Sequence, residues 1–186
     1  MNIRSHRFNY IVAALLLAVG FSSPLAAQTA RLDELFTALR DADAETAARL
    51  EGEIRTEWGK SGSAAMDLLL RRGEDALEAG LPDEAVEHLT ALVDHAPDFA
   101  EGYSARAAAY YQLGLVGPAL DDLRQTLVLN PRHFGAMFGF AIILEELGRP
   151  EDSLEIFRQI EQIGPNLPDL APSIDRLTLQ LEGQEL

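Results

Sequence analysis

Apolar residues recur at intervals of three and four positions through most of the chain, which is the spacing of one face of an α-helix. Two such runs follow one another near the middle, at Tyr103, Ala107, Tyr110 and Tyr111 and at Ala119, Leu120, Leu123 and Leu127. The same spacing occurs towards both ends, at Leu32, Leu35, Phe36 and Leu39, at Ala47, Leu50, Ile54 and Trp58, and at Ile174, Leu177 and Leu181. Each run gives a helix with one face to bury, so the pattern predicts an all-α fold.

A second regularity is an interval of 34 residues that repeats along the chain. It separates Pro97, Pro131 and Pro165, and the same interval separates Gly80, Gly114 and Gly148. Small residues keep this register, at Gly73 and Ala85, at Ala107 and Ala119, and at Ala141 and Ser153. A small residue on each of two paired helices lets their backbones approach closely, while glycine suits a left-handed helix end and proline stops a helix. The period therefore predicts helix pairs stacked one after another.

The residues in this register resemble the tetratricopeptide repeat family. The middle repeat shows the family motif as Tyr103, Arg106, Ala107, Tyr110, Ala119, Leu123 and Pro131. The resemblance implies a right-handed superhelical solenoid of antiparallel helix pairs, with three repeats at residues 66–99, 100–133 and 134–167. Arg72 and Arg106 depart from the family, because they occupy a position that is usually apolar. We expect these departures to affect side-chain packing and to leave the architecture unchanged.

Helical segments flank the repeats, which together occupy residues 64–167. Residues 28–63 predict a degenerate helix pair of the repeat type, followed by a flexible joint at 59–63. Trp58, at the end of that pair, is expected to pack against the next helix pair. Residues 168–186 predict a capping helix and a tail, since the last repeat of an array would otherwise expose its stacking face.

The segment 1–27 has the organisation of a secretory signal peptide. Arg4 and Arg7 precede an apolar run at 11–21, and Ala26 and Ala27 follow it, so we expect cleavage after Ala27. The run is shorter than the roughly 20 residues of a membrane-spanning helix, and retention as an uncleaved anchor is the alternative. Two of the 15 basic residues precede the cut, which leaves 13 basic and 30 acidic residues and a net charge of −17. The bacterial form of the signal favours a periplasmic or secreted protein.

The composition excludes several classes of partner and chemistry. The 186 residues include 15 Lys and Arg against 30 Asp and Glu, giving a formal charge of −15, and Lys60 is the single lysine. Nucleic acids and anionic membranes require clustered basic residues, so neither is an expected partner. The absence of cysteine excludes disulfides, thiolate metal sites, cysteine nucleophiles and a lipid-modified N-terminal cysteine.

Candidate catalytic residues do not assemble into a known motif. The segment 59–61 (Gly-Lys-Ser) resembles the end of a phosphate-binding loop, but Ile54 stands where that motif requires its first glycine. His88 and Glu84 are spaced to share a metal ion, yet no HExxH or EF-hand spacing accompanies them. No G-x-S-x-G sequence occurs, and acidic runs such as Glu145-Glu146 are typical of a solvated helix face. We therefore predict no enzymatic activity, no cofactor and no metal.

The resemblance also implies a binding surface, because the first helices of such repeats line a concave groove. The positions that correspond to this groove include Leu70, Glu74, Glu78, Glu101, Tyr111, Phe138, Ile142, Glu145 and Glu146. Some family members clamp a C-terminal carboxylate with Lys, Asn and Arg, but here those positions hold Leu70, Glu74, Ala105, Gly135 and Gly139. We expect instead a basic and apolar or aromatic segment, buried around Tyr111 and Phe138. A core role for Phe138 is the alternative.

The predicted function is a non-enzymatic scaffold or adaptor of the bacterial cell envelope that binds a protein or peptide. One alternative is an accessory protein or enzyme acting on the cell wall, which would require a carboxylate pair with a raised pKa inside a cleft. Another is a structural protein whose repeats assemble end to end. The sequence leaves open the identity of the partner and the choice between a monomer and a homo-oligomer.

Overall fold

The computed structural model describes residues 24–184, and every regular element in this range is an α-helix. The nine helices are α1 (Pro24–Arg40), α2 (Ala44–Trp58), α3 (Ala64–Glu78), α4 (Pro82–His95), α5 (Ala100–Gln112), α6 (Val116–Leu129), α7 (Phe134–Glu146), α8 (Pro150–Ile163) and α9 (Leu170–Gln184). The predicted all-α fold is thereby confirmed. Most of the proposed signal peptide lies outside the described residues, and its cleavage stays a prediction.

The three repeats are the helix pairs α3/α4, α5/α6 and α7/α8, and each pair packs against the next. The turn inside each pair contains a glycine in the left-handed region, at Gly80, Gly114 and Gly148, with φ values of 71°, 72° and 72°. A side chain would strain the backbone there, which explains the recurrence of glycine. Pro82 and Pro150 begin the helices that follow, where the missing N–H of proline leaves no hydrogen bond unmade.

Close contact within each pair depends on small residues, as the sequence indicates. A Cβ atom placed on Gly73 would lie 2.5 Å from side-chain carbons of Leu89, a distance that no real contact tolerates. Ala107 and Ala119 are both buried in the second pair, as are Ala141 and Ser153 in the third. The repeat register therefore identifies the residues at which the two backbones approach most closely.

The N-terminal hairpin, formed by α1 and α2, packs differently from the prediction. The ring of Trp58 stacks on His133 at a centroid distance of 4.2 Å and lies 4.9 Å from the ring of Phe134. Phe36 of α1 contacts the same Phe134 ring, and the side chain of Asn166 donates a hydrogen bond to the carbonyl oxygen of Ala42. The hairpin thus shares a core with the third repeat, and the expectation that Trp58 packs on the next helix pair was wrong.

The polarity of α3 explains why the hairpin does not stack as a preceding repeat. Leu68 is 41% exposed, and Arg71 and Asp75 are also exposed on this helix. The positions one period later are Gly102, Ala105 and Ala109, and all three are buried. Gly102 lies against side chains of α4, and Ala109 shares a core with residues of α4. A helix cannot bury charged side chains against an apolar neighbour without a large desolvation cost. The polar face of α3 therefore ends the array at its first repeat.

The C-terminal helix α9 covers the other end of the array. Leu170 and Leu177 are fully buried in the core that α9 shares with the third repeat. The guanidinium of Arg176 forms two hydrogen bonds to the carboxylate of Glu145 on α7. The predicted capping helix is thus present in the structure. Among the described residues, no helix is both long and apolar enough to cross a membrane.

Candidate partner-binding groove

The first helices of the three repeats lie side by side, with α5 in contact with both α3 and α7. Between α5 and α7 is a cavity of about 280 Å³, which we call the α5–α7 pocket. Ala108 of α5, Gly139 and Ile142 of α7, and Leu123 of α6 form much of its apolar lining. Arg55 and Trp58 of the N-terminal hairpin also line it. The groove expected from the repeats is therefore bounded here by a helix from outside them.

One end of the α5–α7 pocket is built around His133, which is only 3% exposed. Its Nδ1 atom accepts a hydrogen bond from the backbone N–H of Ala136 at 3.0 Å, so the imidazole caps the start of α7. In the neutral ring the proton then resides on Nε2, which donates to Glu101 Oε2 at 2.9 Å. Trp58 stacks on the same ring. The hairpin, the cap of α7 and a groove carboxylate are thus joined at one residue.

The other end of the α5–α7 pocket contains Tyr111, whose hydroxyl donates a hydrogen bond to Glu146 on α7. That hydrogen bond, together with partial burial and the negative charge of Glu146, raises the pKa of Tyr111 above its ordinary value. Ile142 lies beside this pair and is 42% exposed. An apolar surface is thus accessible next to a carboxylate that a tyrosine holds in place.

Acidic residues continue along the groove onto α3, where Glu74 and Glu78 are exposed. Partial desolvation raises the pKa of Glu74, and the negative charges of Glu101, Asp75 and Glu78 raise it further, while Arg71 opposes them. The negative charge of Glu101 thus acts on Glu74 from the neighbouring helix α5. This surface carries a field that favours positively charged groups.

Three of the predicted groove residues make their contacts outside the α5–α7 pocket. Leu70 is 3% exposed and belongs to the core between the first and second repeats, so it offers little surface to a partner. Phe138 is half-buried, and its ring meets that of Phe157 edge to face at 5.1 Å. Glu145 is bound by Arg176 of α9, and this hydrogen bond lowers the pKa of Glu145. Of the expected anchors, Tyr111 lines the pocket and Phe138 does not.

Among the polar and aromatic residues of the pocket, three were not anticipated as part of a site: Arg55, Trp58 and His133. The first two lie in the N-terminal hairpin and reach the groove only because the hairpin packs on the third repeat. The sequence of α3 could have indicated this packing, since the exposed Arg71 and Asp75 mark a face that α1 and α2 do not cover. His133 stands immediately before α7, a position from which a side chain can cap a helix.

A larger cleft of about 640 Å³ lies between the N-terminal hairpin and the first two repeats, beside the joint at 59–63. It shares Trp58, Glu101 and His133 with the α5–α7 pocket. Its lining mixes cationic, anionic and apolar residues and is not dominated by any of them. The stacked Trp58 and His133 rings therefore border two cavities.

The metal site considered from the sequence reduces to a pair of side chains. His88 Nε2 and Glu84 Oε1 lie 3.8 Å apart on α4. No group of three or more potential metal-ligating side chains occurs within residues 24–184. One imidazole and one carboxylate give fewer ligands than protein zinc sites employ.

We expect replacement of Glu74 by glutamine to raise the free energy of unfolding at neutral pH. The gain should be only about a few tenths of a kcal/mol, because the side chain is exposed and water screens its charge. Since the fold raises the pKa of Glu74, its ionised form destabilises the native state above that pKa. This cost disappears below the unfolded-state value of about 4.5, where the carboxyl is protonated in both states. Urea unfolding at pH 7.5 and pH 3.5 measures the difference, with Glu155→Gln on α8 as the control. A loss of stability in Glu74→Gln at pH 7.5 would contradict this account.

Stacked helix pairs with a groove along their first helices define a helical-repeat protein, and the chain belongs to the tetratricopeptide repeat family. The model of the tetratricopeptide repeat matches residues 70–121 and 118–168. A TPR repeat-containing protein of Rhizobium etli is 32% identical over 154 residues, which cover 82% of this chain and 76% of the relative. The family predicted from the repeat register is thereby confirmed.

Two further comparisons cover less of the chain. The Protein SGT1 homolog of Bos taurus is 31% identical over 113 residues, which are 61% of this chain and 33% of that protein. The first TPR of Spaghetti (RPAP3), solved with the HSP90 peptide SRMEEVD, superposes with a TM-score of 0.61 at 21% identity. The superposition covers 64% of this chain and 98% of the solved one. At this level of identity the likeness shows the fold.

Proposed function

We propose that this chain is a non-enzymatic scaffold of the bacterial cell envelope, which binds a basic and apolar segment of a partner protein along its first helices. The observation that carries the proposal is the arrangement around the α5–α7 pocket. Glu101 and Glu146 stand at its two ends, each held by a neighbouring side chain, and apolar surface lies between them. Charged groups arranged in this way favour a partner of opposite charge and fix its orientation.

Membership of the family supports peptide binding, while the local charge argues for a different peptide from that of the solved relative. SRMEEVD contains three acidic residues. In this chain Leu70 and Glu74 occupy two of the positions at which carboxylate-binding relatives carry basic or amide side chains. Glu78 and Glu101 add negative charge close by. A strongly acidic segment would be repelled here, whereas lysine or arginine would be attracted.

The export signal in the segment 1–27 supports the location in the envelope. Arg4 and Arg7, the apolar run at 11–21 and the alanines at 26 and 27 have the order that secretion requires. Intact-mass measurement of the protein recovered from a periplasmic extract tests this part. The expected species begins at Gln28. Recovery of the full-length chain only from the cytosolic fraction would overturn it.

Binding is tested by reversing charge on the groove and on a matched surface. Glu74→Lys/Glu78→Lys alters two exposed groove residues, and Glu155→Lys/Glu161→Lys makes the same change in charge on exposed positions of α8. Crosslinked partners of the tagged protein are then recovered from the envelope fraction, and a basic–aromatic and an acidic peptide are titrated against each form. We expect the groove variant alone to lose its partners and the basic peptide. Equal capture by all forms would refute the groove.

A further inference from the structure

The α5–α7 pocket has a wall that the repeats do not supply. The match to the repeat family begins at residue 70, whereas Arg55 and Trp58 lie on α2. Their position depends on the packing of Trp58 against His133 and Phe134 of the third repeat. An open groove between two helices is thereby bounded by an aromatic ring and a guanidinium. This added wall is a feature of the present chain and does not follow from the repeat fold.

The floor of the pocket contains two glycines whose presence packing does not require. Gly135 and Gly139 are one turn apart on α7, and neither has a positive φ. A Cβ atom at Gly139 would lie 3.5 Å from Leu123, and one at Gly135 would lie 3.5 Å from His133, both ordinary contacts. Gly139, in the helix interior, costs α7 about 1 kcal/mol relative to alanine. Their effect in the structure is to keep the space above α7 open.

Other glycines of the repeats show the contrast. Gly73 is required by Leu89, which a Cβ atom would approach to 2.5 Å, and at Gly102 a Cβ atom would come within 3.1 Å of Leu92 and Val93. At those two glycines, neighbouring side chains fill the space that a Cβ atom would need. The space at Gly139 would admit a methyl group, which would make only an ordinary contact with Leu123.

The charges around the pocket specify what can enter it. Glu101 is bound through one oxygen by His133, and Glu146 through one oxygen by Tyr111, so each ionised carboxylate retains capacity to accept further hydrogen bonds. The remaining charge that lines the pocket, Arg55, is paired with Glu51 on its own helix at 2.8 Å. The electrostatic potential at each end of the pocket is therefore negative, because a glutamate stands there.

The geometry of α5 sets the spacing between Glu101 and Tyr111, the residue that holds Glu146. Positions 101 and 111 are ten apart on the helix, which corresponds to about 15 Å along its axis. An extended chain covers that distance in four to five residues, at roughly 3.3 Å each. A side chain midway along such a segment would lie over Gly139, with Trp58 and Tyr111 as aromatic neighbours.

We propose that the α5–α7 pocket binds one aromatic side chain of an extended partner segment, flanked by basic residues that pair with Glu101 and Glu146. The proposal rests on the groove function argued above and specifies its ligand. Aromatic rings pack favourably edge to face against other rings, which Trp58 and Tyr111 provide. The basic residues orient the segment along α5, and burial of the ring supplies most of the discrimination.

Trp58 is the only tryptophan in the chain, so its fluorescence reports binding at the α5–α7 pocket or at the larger cleft that it also borders, and the pocket-filling variant below distinguishes the two. The probe is the capped peptide Gly-Arg-Gly-Phe-Gly-Arg-Gly, titrated into the mature protein. We expect a saturable change in emission. The matched peptide with Ala in place of Phe should bind at least about tenfold more weakly, the factor expected for losing burial of one phenylalanine. A peptide with Glu in place of both Arg residues should not bind. Equal affinity for the Phe and Ala peptides would overturn the proposal.

A variant that fills the pocket gives the second test. Gly139→Leu places a side chain in the cavity, and Gly117→Leu makes the same change on α6, where, within residues 24–184, no atom beyond the adjoining stretch of the same helix lies within 4 Å of the added Cβ. We expect at least tenfold weaker peptide binding in Gly139→Leu and unchanged binding in Gly117→Leu. Amide chemical shifts of the unmodified protein provide an independent readout, because the peptide should perturb Gly135 and Gly139 more than Gly52 and Gly117. Perturbation confined to other residues would refute the assignment of the pocket.

The two proposals fail in distinguishable ways. Loss of partner capture in Glu74→Lys/Glu78→Lys with undiminished binding by Gly139→Leu would refute the aromatic pocket and leave the acidic groove standing. If neither variant altered the capture of partners or peptide, the groove function itself would be refuted.

Discussion

Replacing Trp58 by alanine is expected to lower the free energy of unfolding by about 3–5 kcal/mol, the usual cost of truncating a large buried aromatic residue. The ring is 8% exposed and lies within 6.0 Å of Phe36, 4.9 Å of Phe134 and 4.2 Å of His133, measured between centroids. Removing it opens a cavity where the N-terminal hairpin meets the third repeat. Since the hairpin has no comparable set of ring contacts with the first repeat within the part of the chain that the structure describes, its attachment should weaken as a whole.

Urea unfolding followed by circular dichroism measures the loss of stability, and hydrogen exchange locates it. We expect faster exchange in α1 and α2 and little change in α3 to α6. Trp58→Phe should recover part of the loss because it retains a ring at the interface. Val128→Ala is the surface control, since Val128 is 74% exposed and its truncation should have almost no effect. A loss below about 1 kcal/mol in Trp58→Ala would show that the hairpin is held by other contacts.

The repeats could be predicted from the sequence because their contacts are short-range. Each helix pair packs on itself and on the next pair, so the same columns must be small or apolar in every period. Gly73, Ala107 and Ala141 mark one such column, and all three are buried in the structure. The helix ends followed for the same reason, since each inner turn needs a glycine at positive φ.

The packing of the N-terminal hairpin could not be read from its own residues. The spacing of its apolar positions shows that α1 and α2 have a face to bury, but it does not identify the surface that buries it. The information lies in α3, where Arg71 and Asp75 take the places of Ala105 and Ala109 in the next repeat. A comparison of these columns between repeats would have excluded a stacked preceding pair.

The groove was predictable only in part. Glu101, Tyr111 and Ile142 line the pocket because a repeat position fixes the direction of a side chain on the first helix. Phe138 could not be assigned, because the segment 134–144 contains only glycine and apolar residues, and spacing then favours no face of α7. Packing against Phe157 of α8 decides its position. The place of Trp58 depends on its contact with His133, which is too distant along the chain for any local pattern to contain.

Charged residues inside the second repeat lead to the other large effect that we expect. Arg106 stands at a position that is usually apolar in the family, and its guanidinium forms two hydrogen bonds to Asp122 of α6, at 2.7 and 2.9 Å. The rings of Tyr103 and Tyr110 each lie 5.6 Å from its Cζ atom. The side chains of Arg106 and Asp122 are 14% and 9% exposed. An ion pair so enclosed is costly to break, because the remaining charge is left in a poorly solvated site.

We expect Asp122→Ile to lower the free energy of unfolding by about 3–5 kcal/mol, since it strands the guanidinium between two helices. The two positions that correspond to this ion pair in the third repeat hold Phe140 and Ile156. The double variant Arg106→Phe/Asp122→Ile copies that apolar pair into the second repeat. Replacing a buried ion pair by apolar residues is often neutral, so its stability should return to within about 1 kcal/mol of the wild type.

Denaturant unfolding of both single variants, the double variant and the wild type completes a double-mutant cycle. A favourable coupling energy of several kcal/mol in the wild type would show that the repeat accepts an arginine at this position only together with its aspartate. The first repeat has Arg72 and His88 at the same two positions and therefore no aspartate to pair with its arginine. It tolerates this arginine because Arg72 is exposed at the end of the array. Additive losses in the double variant would mean that the site requires its charges separately.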